Sequence, residues 1–265
     1  LPLILLSIFN FNTKFILRIS GYPKLNIFRK LFWIKMSKKI FRITFPTKDL
    51  ILQIKKQAIF DEDKIFHLPD AVIQVKDFLL NKKENPSDFE KKIEKKKFFI
   101  SAGRLTKQKN FEYLINEFSK FLEFNSDYDL LIFGKGEQEK HLKEIIINKK
   151  LSDKIHLMGF SEQLYFFMKK SEAFILSSLW EEPGFVIIEA AMCNLFVISS
   201  DCRNGPSEFL KNGDGGLLFQ SNKKDALKEK LIEFNSMKKN LIEKKIIAKK
   251  NCLNYTMYRH SLKLN

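Results

Sequence analysis

The chain has 265 residues, of which 45% are hydrophobic and 29% charged. This length allows one large or two small domains, and the composition is that of a globular protein, which excludes a generally disordered chain. The net charge is +16, and residues 1–60 contain twelve Lys and Arg but a single acidic residue, Asp49. An AT-rich coding genome, which favours Lys, is one explanation of the overall charge, but it does not explain the scarcity of acidic residues in this first segment.

Several classes of protein are excluded at once. No uncharged apolar run reaches about 18 residues, so no membrane-spanning helix is predicted. The opening LPLILLSIF has no basic segment before it, which favours a buried strand over 1–9 rather than a signal peptide. Three cysteines and four histidines are too few and too scattered for a disulfide framework or a metal site, so we expect a reducing, cytoplasmic compartment and no bound metal.

Residues 1–80 predict part of one α/β unit, and a linker follows it. Short apolar runs predict strands, and helical spacing predicts helices; the strands are 1–9, 15–19, 40–47 and 64–72, and the helices 26–41 and 48–57. Residues 81–97 are highly charged and include Pro86, which is typical of a linker.

From residue 98 to residue 235 strands and helices alternate regularly. Continuous apolar runs predict strands at 98–102, 128–134, 155–160, 173–178, 195–201 and 215–219, and amphipathic segments between them predict helices. This alternation predicts a doubly wound parallel sheet covered on both faces, with a ligand site at the carboxyl ends of its strands. Residues 236–265 are predicted to form a helical segment.

The segment SAGRLTKQKNFEYLI (101–115) places Arg104 and Lys109 between a strand end and a helix start. Backbone N–H groups at a helix start favour an anion, Arg can hold a diphosphate with two parallel hydrogen bonds, and Lys adds a point charge. A solvated polar turn with two surface cations is the alternative.

The segment SSLWEEPGFVIIEAAMCN (177–194) follows another strand and contains Glu181 and Glu189. Apolar neighbours make an ionised Glu189 costly unless hydroxyl groups of a sugar or ribose donate to it, or unless a Lys or Arg of the same domain pairs with it. Eight positions of helix span roughly 12 Å, more than the separation of about 5–9.5 Å between paired glycosidase carboxylates. The two glutamates therefore suit two contacts along one extended ligand.

Three further strand ends carry glycine or small polar residues: the loops 134–137 and 159–162, and the segment DCRNGPSEFLKNGDGGLLF (201–219) with Arg203 and Glu208. Together the strand ends predict a nucleotide cleft.

In this order and spacing, GRLTKQKNFEYLINEF, LLIFGKGEQEKHL, IHLMGF, EEPGFVIIE and DCRNGPSEFLKNGDGGLLF resemble the carboxy-terminal domain of family-4 glycosyltransferases of GT-B architecture. The resemblance covers 98–235 strongly and 1–80 more loosely. It implies an α/β fold with a near-complete nucleotide-sugar-binding domain at 98–235, a partial amino-terminal acceptor-side domain at 1–80, a linker at 81–97 and the helical segment 236–265.

The resemblance also implies roles for individual residues. The catalytic residues that it implies are Arg104, Lys109 and Glu181: Arg104 and Lys109 would hold the donor diphosphate, and Glu181 would contact the sugar hydroxyls. Glu189 would bind the ribose. The donor-binding residues that it implies are Gly103, Gly134, Phe160, Ser161, Gly184, Phe185, Val186 and Glu189. The family retains anomeric configuration and needs no divalent metal, so the expected ligand is a nucleotide diphosphate sugar, with a UDP-sugar favoured, and no cofactor.

Two departures from the family are visible. Glu182 stands where the family usually has Gly or Pro, which affects the expected sugar preference. No segment matches the family's first half of the amino-terminal domain, with its glycine-rich phosphate loop and acceptor-site histidine, and the first residue is Leu1, so the chain is expected to be a fragment.

The basic stretch NIFRKLFWIKMSKKIFRI (26–43) predicts a helix with Ile27, Leu31, Ile34 and Phe41 near one face. With Trp33 and its cations it suits the inner face of the cytoplasmic membrane, or simply a domain helix with a solvated basic face.

We therefore expect a retaining hexosyl- or N-acetylhexosaminyl-type glycosyltransferase acting on a glycan or lipid-linked acceptor in surface polysaccharide synthesis. The alternatives are a non-catalytic nucleotide-binding remnant and a basic peripheral membrane-binding module. Nucleic acid is not expected as a partner, because no recognised binding motif accompanies the charge.

Overall fold

The computed structural model describes residues 3, 4, 8, 11–73, 96–181, 183–237 and 240–264. Two parallel sheets organise the chain. The first has three strands in the order β1-β2-β3: Ile16–Arg18, Arg42–Phe45 and Ile65–His67. Helices α1 (Ile27–Ser37) and α2 (Lys48–Lys55) connect these strands, and a 3-10 turn at Glu62–Lys64 precedes β3.

The second sheet has six parallel strands in the order β6-β5-β4-β7-β8-β9. Their bounds are β4 Lys97–Ala102, β5 Tyr128–Phe133, β6 Ile155–Gly159, β7 Ala173–Leu176, β8 Phe196–Ser200 and β9 Leu217–Phe219. The order reverses between β4 and β7, which makes the sheet doubly wound, as the sequence predicts. Each predicted strand of this sheet is found, with ends that differ by up to two residues.

Helices cover both faces of the second sheet, and they are α3 Phe111–Leu122, α4 Glu139–Asn148, α5 Leu164–Lys170, α6 Phe185–Met192, α7 Pro206–Phe209, α8 Ala226–Ser236 and α9 Asn240–Cys252. Side chains alternate across the buried strand β4: Phe98 and Ile100 pack with α6, whereas Phe99 packs with α3 and α8. Because α3 and α6 follow β4 and β7 but cover opposite faces, a crevice opens between these two strands.

The last helix, α10 (Met257–Leu264), returns to the first sheet. Val72 N donates to Tyr255 O over 2.9 Å, and Ile73 forms a parallel bridge with Thr256. His260 Nδ1 lies 2.7 Å from Pro69 O. The carboxy-terminal segment therefore joins the two sheets.

The amino-terminal expectations need correction. The predicted strand over 1–9 is wrong where it can be checked, because Leu3, Ile4 and Ile8 are helical. A short apolar run cannot by itself distinguish a strand from a helix. The basic helix ends at Ser37 rather than at residue 41.

The expected apolar face of α1 is only partly present. Ile27 and Leu31 are exposed, but Ile34 packs on the core of the first sheet, and Phe41 lies beyond the helix. Trp33 packs there as well, with its ring centroid 5.8 Å from that of Phe60.

The predicted linker 81–97 lies outside the described residues up to residue 95, and so does Glu182. Lys97 is already the first residue of β4. No helix among the described residues is long and apolar enough to cross a membrane.

Candidate functional site

An open cleft of ≈ 730 Å³ lies at the carboxyl ends of β4, β5 and β7. It occupies the switch point of the sheet, where ligands bind in doubly wound folds. It is lined by all eleven residues that the family resemblance implies as catalytic or donor-binding: Gly103, Arg104, Lys109, Gly134, Phe160, Ser161, Glu181, Gly184, Phe185, Val186 and Glu189. Tertiary structure thus brings together segments that are separated by up to 86 positions.

The floor of the cleft requires a glycine after β5. Gly134 has φ +137°, and a Cβ at this position would lie 1.8 Å from Gly103 O. The stem of Lys109 lies over Gly103, where a Cβ would meet Lys109 Cε at 3.2 Å. The absence of a side chain at Gly134 lets the ends of β4 and β5 approach each other, and its absence at Gly103 leaves room for the Lys109 stem.

Lys109 and Glu181 form a buried ion pair in which Lys109 Nζ donates to Glu181 Oε1 over 2.6 Å. The two side chains are 14% and 4% exposed, so solvent screens the pair little. Ser178 Oγ donates to the same carboxylate oxygen. One oxygen of Glu181 therefore has two donors, and its orientation is set before any ligand arrives.

Two loops carry this pair and are bound to each other. Ser177 Oγ donates to Lys109 O over 2.8 Å, and Leu179 N donates to Gln108 O over 2.8 Å. Gln108 Nε2 donates in return to Trp180 O over 2.9 Å. The loops after β4 and β7 therefore form one unit across the switch point.

Glu189 lies on α6 and has a different environment. Tyr165 Oη donates to Glu189 Oε1 over 3.2 Å, and among the described residues no Lys or Arg pairs with the carboxylate. Burial raises the pKa of Glu189, and the hydrogen bond from Tyr165 only partly offsets this. Among the described residues Glu189 does not pair with a cation of its own domain, which was the alternative. Its carboxylate can therefore accept hydrogen bonds from ligand hydroxyl groups.

Arg104 is exposed at the same cleft, and its guanidinium group has no hydrogen bond or ion pair within the part of the chain that the structure describes. Lys135 is also exposed and adds a third cation, which no sequence motif indicated. Its position in the strand-end loop 134–137 was the available signal. Three cations over one cleft favour an anionic ligand.

Aromatic side chains surround the opening of the cleft. Phe160, Phe185 and Trp180 are 70%, 43% and 38% exposed. Trp180 and Gln108 were not singled out from the sequence, although both stand next to residues that were. Exposed rings at a polar cleft offer stacking surfaces to a base or a sugar.

Arg203 and Glu208 do not line the cleft. Arg203 O accepts from Glu181 N over 3.2 Å, and the Glu208 carboxylate contacts helix α2. Among the described residues no group of three or more His, Cys, Asp or Glu side chains could hold a metal ion.

Solved structures define the class of fold. The chain is similar to a glycosyltransferase from Rickettsia africae, with a TM-score of 0.81 and 21% identity over 96% of this chain and 69% of that one. It is similar to Anabaena HepE in complex with UDP and glucose, with a TM-score of 0.76 and 14% identity over 95% and 70% of the two chains. The fold is that of GT-B glycosyltransferases, as predicted.

A model of the family described as Glycosyl transferases group 1 matches residues 82–250, more than half of the chain. The chain belongs to this family, which confirms the resemblance seen in the sequence.

Curated relatives are glycosyltransferases of polysaccharide and glycan biosynthesis. An uncharacterized glycosyltransferase of Methanocaldococcus jannaschii is 41% identical over 112 residues, which are 42% of this chain and 28% of the relative. N-acetylgalactosamine-N,N'-diacetylbacillosaminyl-diphospho-undecaprenol 4-alpha-N-acetylgalactosaminyltransferase of Campylobacter jejuni is 26% identical over 223 residues, 83% of this chain. The chain spans 60% of the length of that second relative.

Proposed function

We propose that the chain binds a nucleotide diphosphate sugar, with a UDP-sugar favoured, and transfers its sugar with retention of configuration to a glycan or lipid-linked acceptor. The observation that carries this proposal is that one cleft contains both the Arg104 guanidinium and the Glu189 carboxylate, and neither forms an ion pair with any of the described residues. A donor that presents a diphosphate to one and hydroxyl groups to the other satisfies both.

Each group then has a chemical task. Arg104, Lys109 and Lys135 offset the negative charge that accumulates on the diphosphate as it leaves, a task for which preorganised cations serve without a metal ion. Glu181, fixed by Lys109 and Ser178, accepts from sugar hydroxyls with its other oxygen. We expect transfer to persist in the presence of a chelator.

The kind of sugar and acceptor is proposed from the relatives. The Campylobacter jejuni relative is described as an N-acetylgalactosaminyltransferase acting on a diphospho-undecaprenol substrate, and a Salmonella typhimurium relative as an O-antigen chain mannosyltransferase. The latter is 30% identical over 63% of this chain and 43% of its own length. These names support a hexose or N-acetylhexosamine and a lipid-linked or glycan acceptor in surface polysaccharide synthesis.

Calorimetric titration of the chain with UDP-glucose, UDP-N-acetylglucosamine and GDP-mannose tests the proposal. We expect a UDP-sugar to bind and Glu189→Ala to weaken binding by at least about tenfold, since a hydrogen bond to a charged group contributes about 1.5–3 kcal/mol. Glu229→Ala is the matched control, because Glu229 is an exposed carboxylate on α8, away from the cleft.

Absence of donor binding, or an equal effect of both variants, would contradict the proposal. Binding without transfer to any acceptor and without slow donor hydrolysis would instead favour a non-catalytic nucleotide-binding remnant.

A second binding role is supported by the exposed apolar side chains of α1. Ile27, Phe28 and Leu31 are 76%, 84% and 60% exposed in the acid-poor segment of the chain. We propose that residues 26–43 bind the anionic inner face of the cytoplasmic membrane. The apolar side chains would lie in the membrane interface and the lysines would contact the lipid headgroups.

Sedimentation with vesicles of phosphatidylglycerol or of phosphatidylcholine tests this role. We expect salt-sensitive binding to the anionic vesicles and a loss of binding in Leu31→Ser. Leu52→Ser is the matched control, because Leu52 on α2 is also 60% exposed. Equal binding by both variants would exclude α1 as the contact.

A further inference from the structure

The loop between β8 and α7 exchanges hydrogen bonds with helix α2 of the first sheet. Glu208 Oε2 accepts from Lys48 N over 2.7 Å, at the start of α2. In the opposite direction, Asp49 Oδ2 accepts from Asn204 N over 2.8 Å. Each segment thus satisfies a backbone donor of the other, and in both cases the acceptor is a carboxylate, which makes the hydrogen bond stronger than a neutral one.

Asn204 is the most enclosed polar residue of this contact. It is 3% exposed and has φ +68°, a left-handed conformation that Asn tolerates better than most residues. Its Oδ1 accepts from Gln53 Nε2 over 2.7 Å. Because Asp49 and Gln53 are four positions apart on α2, they lie on one face of the helix and hold both the backbone and the side chain of Asn204.

The neighbours of Asn204 on either side contact the segment that carries Glu181. Arg203 O accepts from Glu181 N over 3.2 Å. Gly205 is so close to Pro183 that a Cβ on it would lie 2.0 Å from Pro183 O. The loop is therefore held by α2 on one side and supports the Glu181 segment on the other.

We propose that Asn204 is a positioning residue for the donor site. Its hydrogen bonds to Asp49 and Gln53 fix the 203–205 loop, and this loop fixes the main chain of Glu181 relative to Lys109. Donor affinity and turnover then depend on contact between the first sheet and the second, although no residue of α2 lines the cleft. Small displacements of a positioned group weaken a site strongly, which is why such supporting contacts matter.

This inference rests on the proposed function, and its test separates the two. Gln53→Ala and Asp49→Ala each remove one hydrogen bond to Asn204 without touching the cleft. Asp49→Asn is the conservative variant, since an amide oxygen still accepts from Asn204 N. Lys56→Ala is the matched control, because Lys56 is an exposed residue at the end of the same helix.

Donor dissociation constants, KM and kcat are measured with a UDP-sugar on the full chain, together with the melting temperature. We expect Gln53→Ala to weaken donor binding about fivefold, the effect of losing one neutral hydrogen bond, and Asp49→Ala to weaken it at least as much, because its hydrogen bond has a carboxylate acceptor. Asp49→Asn should restore most of the affinity, and Lys56→Ala should match the parent chain.

If the two alanine variants melt earlier but bind donor as Lys56→Ala does, Asn204 is merely structural and the inference is overturned. If the parent chain itself binds no nucleotide sugar, the proposed function fails, and the inference fails with it.

Discussion

At the scale of the residue, the Glu189 carboxylate shows how burial sets chemistry. Its partner is a neutral phenol, Tyr165, and burial raises its pKa. Glu181 is more deeply buried, with 3% of its surface exposed, but it is paired with Lys109. Two glutamates eight positions apart are thus placed in opposite electrostatic environments, one with a cation and one without, which suits a ligand that carries both hydroxyls and negative charge.

The raised pKa of Glu189 predicts pH-dependent donor binding. Ligand hydroxyls donate to the ionised carboxylate and lower its pKa, so binding releases a proton. Donor affinity should therefore rise as the pH increases from the ordinary Glu value of about 4.3 through the raised pKa, and then level off. Calorimetry from about pH 4.5, just above the ordinary Glu pKa, to about pH 8 measures the donor affinity across this range.

Glu189→Gln should bind more weakly and with a flatter pH profile. The same substitution should increase the free energy of unfolding at neutral pH. A carboxyl whose pKa is higher in the folded than in the unfolded chain destabilises the folded state once the pH exceeds the unfolded-state pKa, and glutamine does not ionise. A parallel profile in parent and variant would show that Glu189 is not the titrating group.

At the scale of the element, the loops after β4 and β5 depend on one close approach. Gly134 N donates to Gly159 O over 2.8 Å, and Gly103 N donates to Phe133 O over 3.0 Å, so the ends of three neighbouring strands are tied together. The missing side chain at Gly134 permits this arrangement, since its Cβ would overlap Gly103 O.

Gly134→Ala should therefore lower the free energy of unfolding by at least about 3 kcal/mol, as steric overlap with buried backbone does. Gly159→Ala is the matched control: φ is +68° there, but nothing lies within 4 Å of a Cβ, so only the left-handed cost of about 1–2 kcal/mol remains. Urea denaturation measures both. Similar losses would show that the loop relaxes to admit a Cβ.

At the scale of the whole molecule, Tyr255 joins the two sheets. Its carbonyl oxygen accepts from Val72 N and Ile73 N, and its ring packs at 5.7 Å from that of Phe209 in α7. The side chain is buried among residues of α6, α7 and α9. Together with the contact at Asn204, it makes a second point at which the first sheet is fixed to the second.

Tyr255→Ala should cost about 3–5 kcal/mol of unfolding free energy through the cavity that it leaves. Tyr258→Ala should change it by no more than about 0.5 kcal/mol, because Tyr258 is 71% exposed. Chemical denaturation of the two variants beside the parent chain measures the difference. An equal effect would mean that the Tyr255 contact between the two sheets does not stabilise the fold.

The sequence by itself determined the second sheet and the place of the site. Its buried strands are continuous apolar runs between turn residues, a local pattern, and parallel strands end at a common edge, a general rule. Arg104, Lys109, Glu181 and Glu189 could therefore be assigned to one cleft without coordinates. Expectations were weaker for residues 1–41, where a short apolar run fits a helix as well as a strand.

Only the tertiary structure decided which groups meet. Lys109 and Glu181 are 72 positions apart, and Gln53 and Asn204 are 151 positions apart. Such contacts leave no periodic trace along the chain, because they depend on how loops cross the sheet edge and not on local spacing. For the same reason the neutral partner of Glu189, and the burial that raises its pKa, became visible only in the folded chain.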